Sequence, residues 1–232
     1  MLQFNNQRWT VGECSLNVSL PFHAQTLPEA WWTLDVSAHP ANSIHQRDDL
    51  RISIQPFFVP IRDWRELQDL EVSVDAAWQD AHEFVNEDGE VQWTEIEARW
   101  WPDRSINKAH YWIGDQFLLR FGSREHDHLI FELEGLLEAE EDYYCDPPTV
   151  SSEVPSEPRS PASLLLMGQI QFRTCEVEVP GQVRDPLAWA QEKAARALGF
   201  RSFRSSNVRN VGGHPEIPLH SWKVALTPSF SE

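Results

Sequence analysis

The sequence of 232 residues carries 19 basic and 36 acidic side chains, which give a formal net charge of −17. An excess of this size repels the phosphates of nucleic acids and anionic lipid surfaces, so we expect neither as a partner. The three cysteines, Cys14, Cys145 and Cys175, match neither a disulfide framework nor a cysteine-rich zinc site. No signal sequence begins at Met1 and no apolar run is long enough to cross a membrane, so we predict a cytoplasmic protein.

The acidic excess lies in the first part of the chain. Residues 1–145 contain 10 Lys or Arg and 27 Asp or Glu, whereas residues 146–232 contain nine of each. Net charge bears on solubility and association rather than on fold. We therefore predict that residues 1–145 present either a merely solubilising surface or a binding site for a basic partner.

Strands are predicted from the N-terminus to Pro60. Aromatic, β-branched or alternating residues favour strands at 15–20, 31–36 and 50–54, and prolines follow each of them. The next segment, 61–67, is typical of a helical turn capped by Asp63.

The middle of the chain predicts consecutive antiparallel strands at 71–74, 91–101 and 129–137. A hairpin is predicted at 111–121, with Gly114 and Asp115 as its turn. Residues 75–86 fit either a short helix or a strand with a bulge. Short turns between successive strands indicate a meander.

Five prolines among serine and glutamate at 146–162 predict a flexible or extended connector. Strands at 164–166, 169–179 and 222–226 follow. Between them Asp185 and Pro186 begin a helix that ends at Gly199, because Asp is a good N-cap and Gly suits the position after the last turn.

The predicted fold class is thus a β-rich α+β protein, mainly an antiparallel meander in the form of a sandwich or partly open barrel, with one clear helix near the C-terminus. The predicted organisation is an acidic β domain at 1–145, a connector at 146–162 and a β-α-β segment at 163–232 that either stands alone or completes the same fold. The 11 tryptophans are expected mostly in the core, with their indole N–H groups hydrogen-bonded.

No catalytic or nucleotide-binding template is present, and we predict neither a metal nor a cofactor. His126, Asp127 and His128 form the most site-like cluster, because histidine and carboxylate are metal ligands. Alternation along a strand would turn the two histidines to opposite faces, so a solvated turn is favoured. A metal-assisted hydrolase or ligand-binding enzyme at this turn remains the alternative function.

A basic cluster in the last segment contains Arg201, Arg204 and Arg209. Arginine binds phosphate and carboxylate through paired hydrogen bonds, so these residues fit either an anion site or a contact with the acidic first part of the chain. We favour the intramolecular contact.

The leading interaction site is an acidic run that ends in two tyrosines. It comprises Glu138, Glu140, Glu141, Asp142, Tyr143 and Tyr144. Carboxylates steer a basic partner and tyrosine supplies contact area. The sequence therefore favours a non-enzymatic interaction module that binds a basic protein surface, such as an inhibitor, an immunity-type partner or an assembly subunit. A carbohydrate-binding module is a further alternative, suggested by strands and many tryptophans.

Overall fold

The computed structural model describes residues 1–20, 30–41, 49–59, 61, 63–81, 84–85, 91–101, 108–125, 128–140, 143–144, 161–211 and 221–229. The strands up to residue 101 are β1 (Leu2–Phe4), β2 (Gln7–Leu20), β3 (Trp31–Pro40), β4 (Asp49–Phe57), β5 (Glu71–Val74), β6 (Phe84–Val85), β7 (Val91–Gln92) and β8 (Glu95–Trp101). The later strands are β9 (Lys108–Gly114), β10 (Phe117–Glu125), β11 (His128–Ala139), β12 (Tyr143–Tyr144), β13 (Ala162–Pro180), β14 (Phe203–Val211) and β15 (Ser221–Pro228). The helical segments are a 3₁₀ helix at Trp64–Leu67, α1 (Ala76–Ala81) and α2 (Pro186–Leu198).

A 13-stranded sheet dominates the described residues, and β6 and β7 form a separate pair. The sheet is mainly antiparallel and α2 lies near the C-terminus, which confirms the predicted class. The finer alternatives of a sandwich or a partly open barrel are replaced by a single large sheet that is not a clear barrel. The strands from β1 to β4 follow one another as a meander, and β8 and β9 extend it.

The long strand β13 joins the last segment to the rest of the sheet. It pairs with β1 and β11 over its first residues, and with β2 and β15 over its later ones. Two separate strands were predicted here, but Gly168 causes no break; a Cβ added to it would make ordinary contact with Phe131. The predicted connector lies outside the described residues up to position 160, and the division into domains stays a prediction.

Tryptophan packing departs from the expected pattern of hydrogen-bonded indoles. The buried N–H groups of Trp9, Trp32 and Trp100 have no hydrogen-bond acceptor within the described parts of the chain. Instead the rings meet edge to face: Trp9 lies 6.0 Å from Trp100 between ring centroids, and Trp32 lies 5.5 Å from Phe172. Such contacts place the positive edge of one ring against the negative face of another, so they add stabilisation beyond the burial of apolar area.

The hairpin predicted around Gly114 is wrong. In the described pairings, β9 and β10 do not pair with each other. Both pair with β11: β10 lies beside residues 128–135 of that strand, and β9 lies beside residues 138–139. Glycine at this position allows the backbone of β9 to lie close to that of β11 and does not form a turn. A Cβ at Gly114 would lie 2.7 Å from the carbonyl oxygen of Leu136.

The strand predicted at 91–101 is interrupted before β8. At the interruption the buried side chain of Gln79 substitutes for a neighbouring strand: its Nε2 donates to the Thr94 carbonyl oxygen at 2.6 Å, and its Oε1 accepts from the Thr94 N–H at 3.1 Å. Gln79 lies in α1, which covers the first half of the segment that fitted either helix or strand. The remaining positions of that segment lie partly outside the described residues.

Local capping signals were predicted correctly at two helical segments. The Asp63 carboxylate accepts from the Arg65 N–H at the 3₁₀ helix, and the Asp185 carboxylate accepts from the Ala188 N–H at the start of α2. Helix α2 ends at Gly199, which has a φ of 70° in the left-handed region. These ends follow from short-range geometry, so the sequence alone determines them.

Replacing Gly199 by alanine should lower the free energy of unfolding by about 1–3 kcal/mol, because a side chain at this positive φ is strained. The new Cβ would also lie 2.5 Å from the Asp63 carboxylate. The matched control is Gly12→Ala in β2, where the nearest atoms are 3.5 Å away and φ is not positive. Denaturant unfolding of both variants checks this, and equal stabilities would contradict it.

Candidate interaction surface

Two residues of the predicted acidic run are exposed at the end of β11. Glu138 and Glu140 both point to solvent, whereas Glu141 and Asp142 lie outside the described residues. The two tyrosines form the short strand β12, which pairs with β9 at Ala109 and Lys108. The structure thus places the described part of the run beside β9.

The exposed acidic residues of this run continue a longer pattern along β11. Because side chains alternate between the two faces of a strand, every second residue from 130 to 140 lies on the outer face. These outward residues define what we name the acidic stripe: Ile130, Glu132, Glu134, Leu136, Glu138 and Glu140. Leu136 is 63 % exposed and Ile130 is 41 % exposed, so the stripe combines carboxylates with accessible apolar side chains.

Arg120 of β10 binds the first half of the stripe. Its Nε lies 2.9 Å from Glu71, and its Nη1 lies 3.1 Å from Glu134 and 3.5 Å from Glu132. The hydrogen bond to Glu71 is the largest cause that raises the pKa of the guanidinium. One positive charge faces three carboxylates, so this cluster keeps a net negative charge.

The second half of the stripe lies near a further group of carboxylates. Burial raises the pKa of Glu95 above its ordinary value, and the nearby charges of Glu97, Asp115 and Glu140 raise it further. The part of this rise that comes from the neighbouring carboxylates reflects the negative charge gathered here. A cation that approached this end of the stripe would be attracted.

Next to these carboxylates, Glu97 is held in a defined position. Arg99 donates to it at 2.7 Å, and the Arg99 guanidinium lies 5.4 Å from the Tyr111 ring centroid. Burial, followed by the charge of Glu97, raises the pKa of Tyr111 to about 12. The tyrosine is therefore a neutral hydrogen-bonding group at physiological pH and is unsuited to act as a base.

Two shallow grooves lie on the β10–β11–β13 part of the same outer face. One, of about 630 Å³, runs between Ile130 and Met167, and the other, of about 720 Å³, runs between Leu118 and Leu165. Glu132 lines both grooves. Met167 is 41 % exposed, so accessible apolar surface directly adjoins the carboxylates bound by Arg120.

The arginines predicted as an anion-binding or docking cluster lie elsewhere. Arg201 is exposed just before β14, and Arg204 and Arg209 belong to that strand. Arg209 lies 3.3 Å from Glu176 of β13, which is also 3.3 Å from Lys223. The ion pair therefore forms within the last segment, and anion binding by these arginines stays a prediction.

The structure describes only part of the predicted histidine cluster. His126 and Asp127 lie outside the described residues, and His128 is the first residue of β11. Among the residues that are described, no group of three or more His, Cys, Asp or Glu side chains is arranged to hold a metal ion.

Two cysteines are shielded from reaction. Burial raises the pKa of Cys14 to about 12, with Asp35 as a second cause, and burial also raises the pKa of Cys175. The thiolate is the nucleophilic form, so neither thiol is activated. Cys145 lies outside the described residues.

Sequence reasoning found one end of the acidic stripe and missed the rest. The signal for Glu132 and Glu134 was present, because they alternate with buried residues along β11. Arg120 and Glu71 join them only through the pairing of β10 with β11 and β5, which the wrongly predicted hairpin concealed.

None of the helices in the described parts of the chain has the length and apolar character needed to span a membrane. Comparison with protein-family models finds no match for this chain, and comparisons with curated proteins and with solved structures likewise find none.

Proposed function

We propose that this protein is a non-enzymatic interaction module that binds a basic, amphipathic segment of another protein on the acidic stripe. The observation that supports this most directly is the combination of Glu71, Glu132 and Glu134 around a single arginine with exposed apolar side chains on the same face. The net charge of −17 adds long-range attraction for such a partner.

Charge and apolar contact have different parts in this binding. The carboxylates speed encounter and select a basic partner, and this contribution weakens as salt increases. The groove between Ile130 and Met167 offers apolar area whose removal from water stabilises the complex at any salt concentration. A segment that alternates lysine with leucine in extended form would present both kinds of contact.

The test measures the binding of a short labelled peptide of alternating lysine and leucine by fluorescence anisotropy. The double variant Glu132→Gln/Glu134→Gln should weaken binding about tenfold at low salt, which corresponds to about 1.4 kcal/mol. Arg120→Gln should tighten it, because the carboxylates lose their internal cation. High salt should reduce both differences.

The matched control is Glu192→Gln on α2, an exposed glutamate paired with Arg196 and remote in sequence from the stripe. This substitution removes one negative charge, as each of the two substitutions in the double variant does, and it should leave the affinity for the peptide nearly unchanged. An equal weakening of a glutamate–leucine peptide by Glu132→Gln/Glu134→Gln, or equal effects of Arg120→Gln and Glu192→Gln on the lysine–leucine peptide, would remove the proposal.

A further inference from the structure

At the other end of the sheet, β14 is the terminal strand among the described residues. Within those residues it pairs with β15 alone. A terminal strand leaves a row of backbone N–H and C=O groups without a neighbouring strand, which is a template for a further strand. Proteins normally limit this by short edge strands, prolines or covering elements.

Strand β14 has few of these protections. It is nine residues long, contains no proline, and is exposed at every position from Arg204 to Val211. Val208 and Val211 are 38 % and 37 % exposed. A register shift near Phe203 affects one end of the strand, and regular pairing with β15 continues from Ser205 to Val211.

The edge is basic in a protein that is otherwise strongly acidic. Its charged residues are Arg204 and Arg209, and the sequence contains no Asp or Glu between Glu192 and Glu216. The carboxylate that pairs with Arg209, Glu176, belongs to β13, two strands in from the edge. A carboxylate on an added strand would therefore find arginine and no carboxylate on its immediate neighbour.

We propose that an extended acidic segment of a partner protein binds to β14 as an additional strand. Backbone hydrogen bonds supply the affinity of such strand addition, and side chains supply the selectivity. Here the selectivity comes from Arg204 and Arg209, and alternate apolar residues of the segment contact Val208 or Val211. Pairing of β14 with a second copy of itself is disfavoured, because it would place four arginines on two adjacent strands that themselves contain no carboxylate.

The experiment uses the full chain and a labelled peptide of alternating glutamate and valine. The glutamate–valine peptide should slow hydrogen exchange at the backbone amides of β14, whereas the corresponding lysine–valine peptide, which the acidic stripe attracts, should leave that exchange unchanged. Arg204→Glu should weaken the glutamate peptide about tenfold and strengthen the lysine peptide. The matched control, Arg184→Glu, makes the same charge change at an exposed site before α2 and should alter neither affinity.

Two peptides methylated on alternate backbone nitrogens distinguish strand addition from simple charge attraction. Each keeps all side chains but blocks hydrogen bonding along one edge, so one should bind and the other should not. Hydrogen exchange should slow at backbone amides of β14 and remain unchanged at β5, the other terminal strand. Equal binding of both methylated peptides, or a β14-mediated dimer that excludes the peptide, would overturn the proposal.

Discussion

Replacing Trp32 by alanine is expected to lower the free energy of unfolding by about 3–5 kcal/mol, the range found for large aromatic residues removed from a core. Trp32 is fully buried and contacts Phe172 edge to face. Because its indole N–H has no acceptor in the described parts of the chain, the loss comes from the cavity and the missing ring contacts. Guanidinium unfolding followed by circular dichroism measures it.

Two further variants separate these causes. Trp32→Phe loses no hydrogen bond and should cost clearly less than the alanine variant, since it retains a ring against Phe172. Trp31→Ala changes the neighbouring tryptophan, which is half-buried on the opposite face of β3, and should also cost less than Trp32→Ala. A larger loss for Trp31→Ala would mean that the core lies on the other face.

Replacing Gln79 by leucine is expected to lower the free energy of unfolding by about 2–4 kcal/mol, because buried polar groups would lose their partners. Gln79 and Thr94 are both buried, and the glutamine amide bonds both the N–H and the carbonyl of Thr94. Leucine has a similar side-chain volume but can form neither of these two hydrogen bonds. The control is Gln182→Leu at an exposed position, which should change the stability little.

The variant Gln79→Glu adds a pH test of the same contact. A carboxylate accepts from the Thr94 N–H but cannot donate to the Thr94 carbonyl, whereas a protonated carboxyl group does both. Burial raises the pKa of the new carboxyl group in the folded state above its unfolded value of about 4.3. The variant therefore gains stability as pH falls through the folded-state pKa towards the unfolded one. A difference in the free energy of unfolding between this variant and the unmodified protein that does not vary with pH would contradict the predicted contact.

The acidic stripe shows where prediction from sequence reaches its limit. The alternation of apolar and polar residues along β11 could be recognised in the sequence, since burial of one strand face imposes a period of two. The ion pairs of Arg120 with Glu71 and Glu134 were not, because Glu71 is distant in sequence and reaches Arg120 only through strand pairing. Nothing in local composition distinguishes this register from the predicted hairpin.

Gly114 and Gln79 illustrate the same limit of prediction from sequence. Gly114 resembled a turn residue, yet its tertiary role is to let the chain approach Leu136 closely. The interruption before β8 depends on Gln79, which is 15 residues away from Thr94. Neither partner could be identified without the packed structure.

The sequence by itself determined the secondary-structure class, the location of the acidic excess, and the ends of α2 at Asp185 and Gly199. These follow from composition and from interactions within a few residues. The tertiary structure alone decided that β13 joins early and late strands in one sheet, and that β14 forms its edge. The physical reason is that strand order and register depend on hydrogen bonds between distant segments, and alternation along a single strand does not specify which strand will be its neighbour.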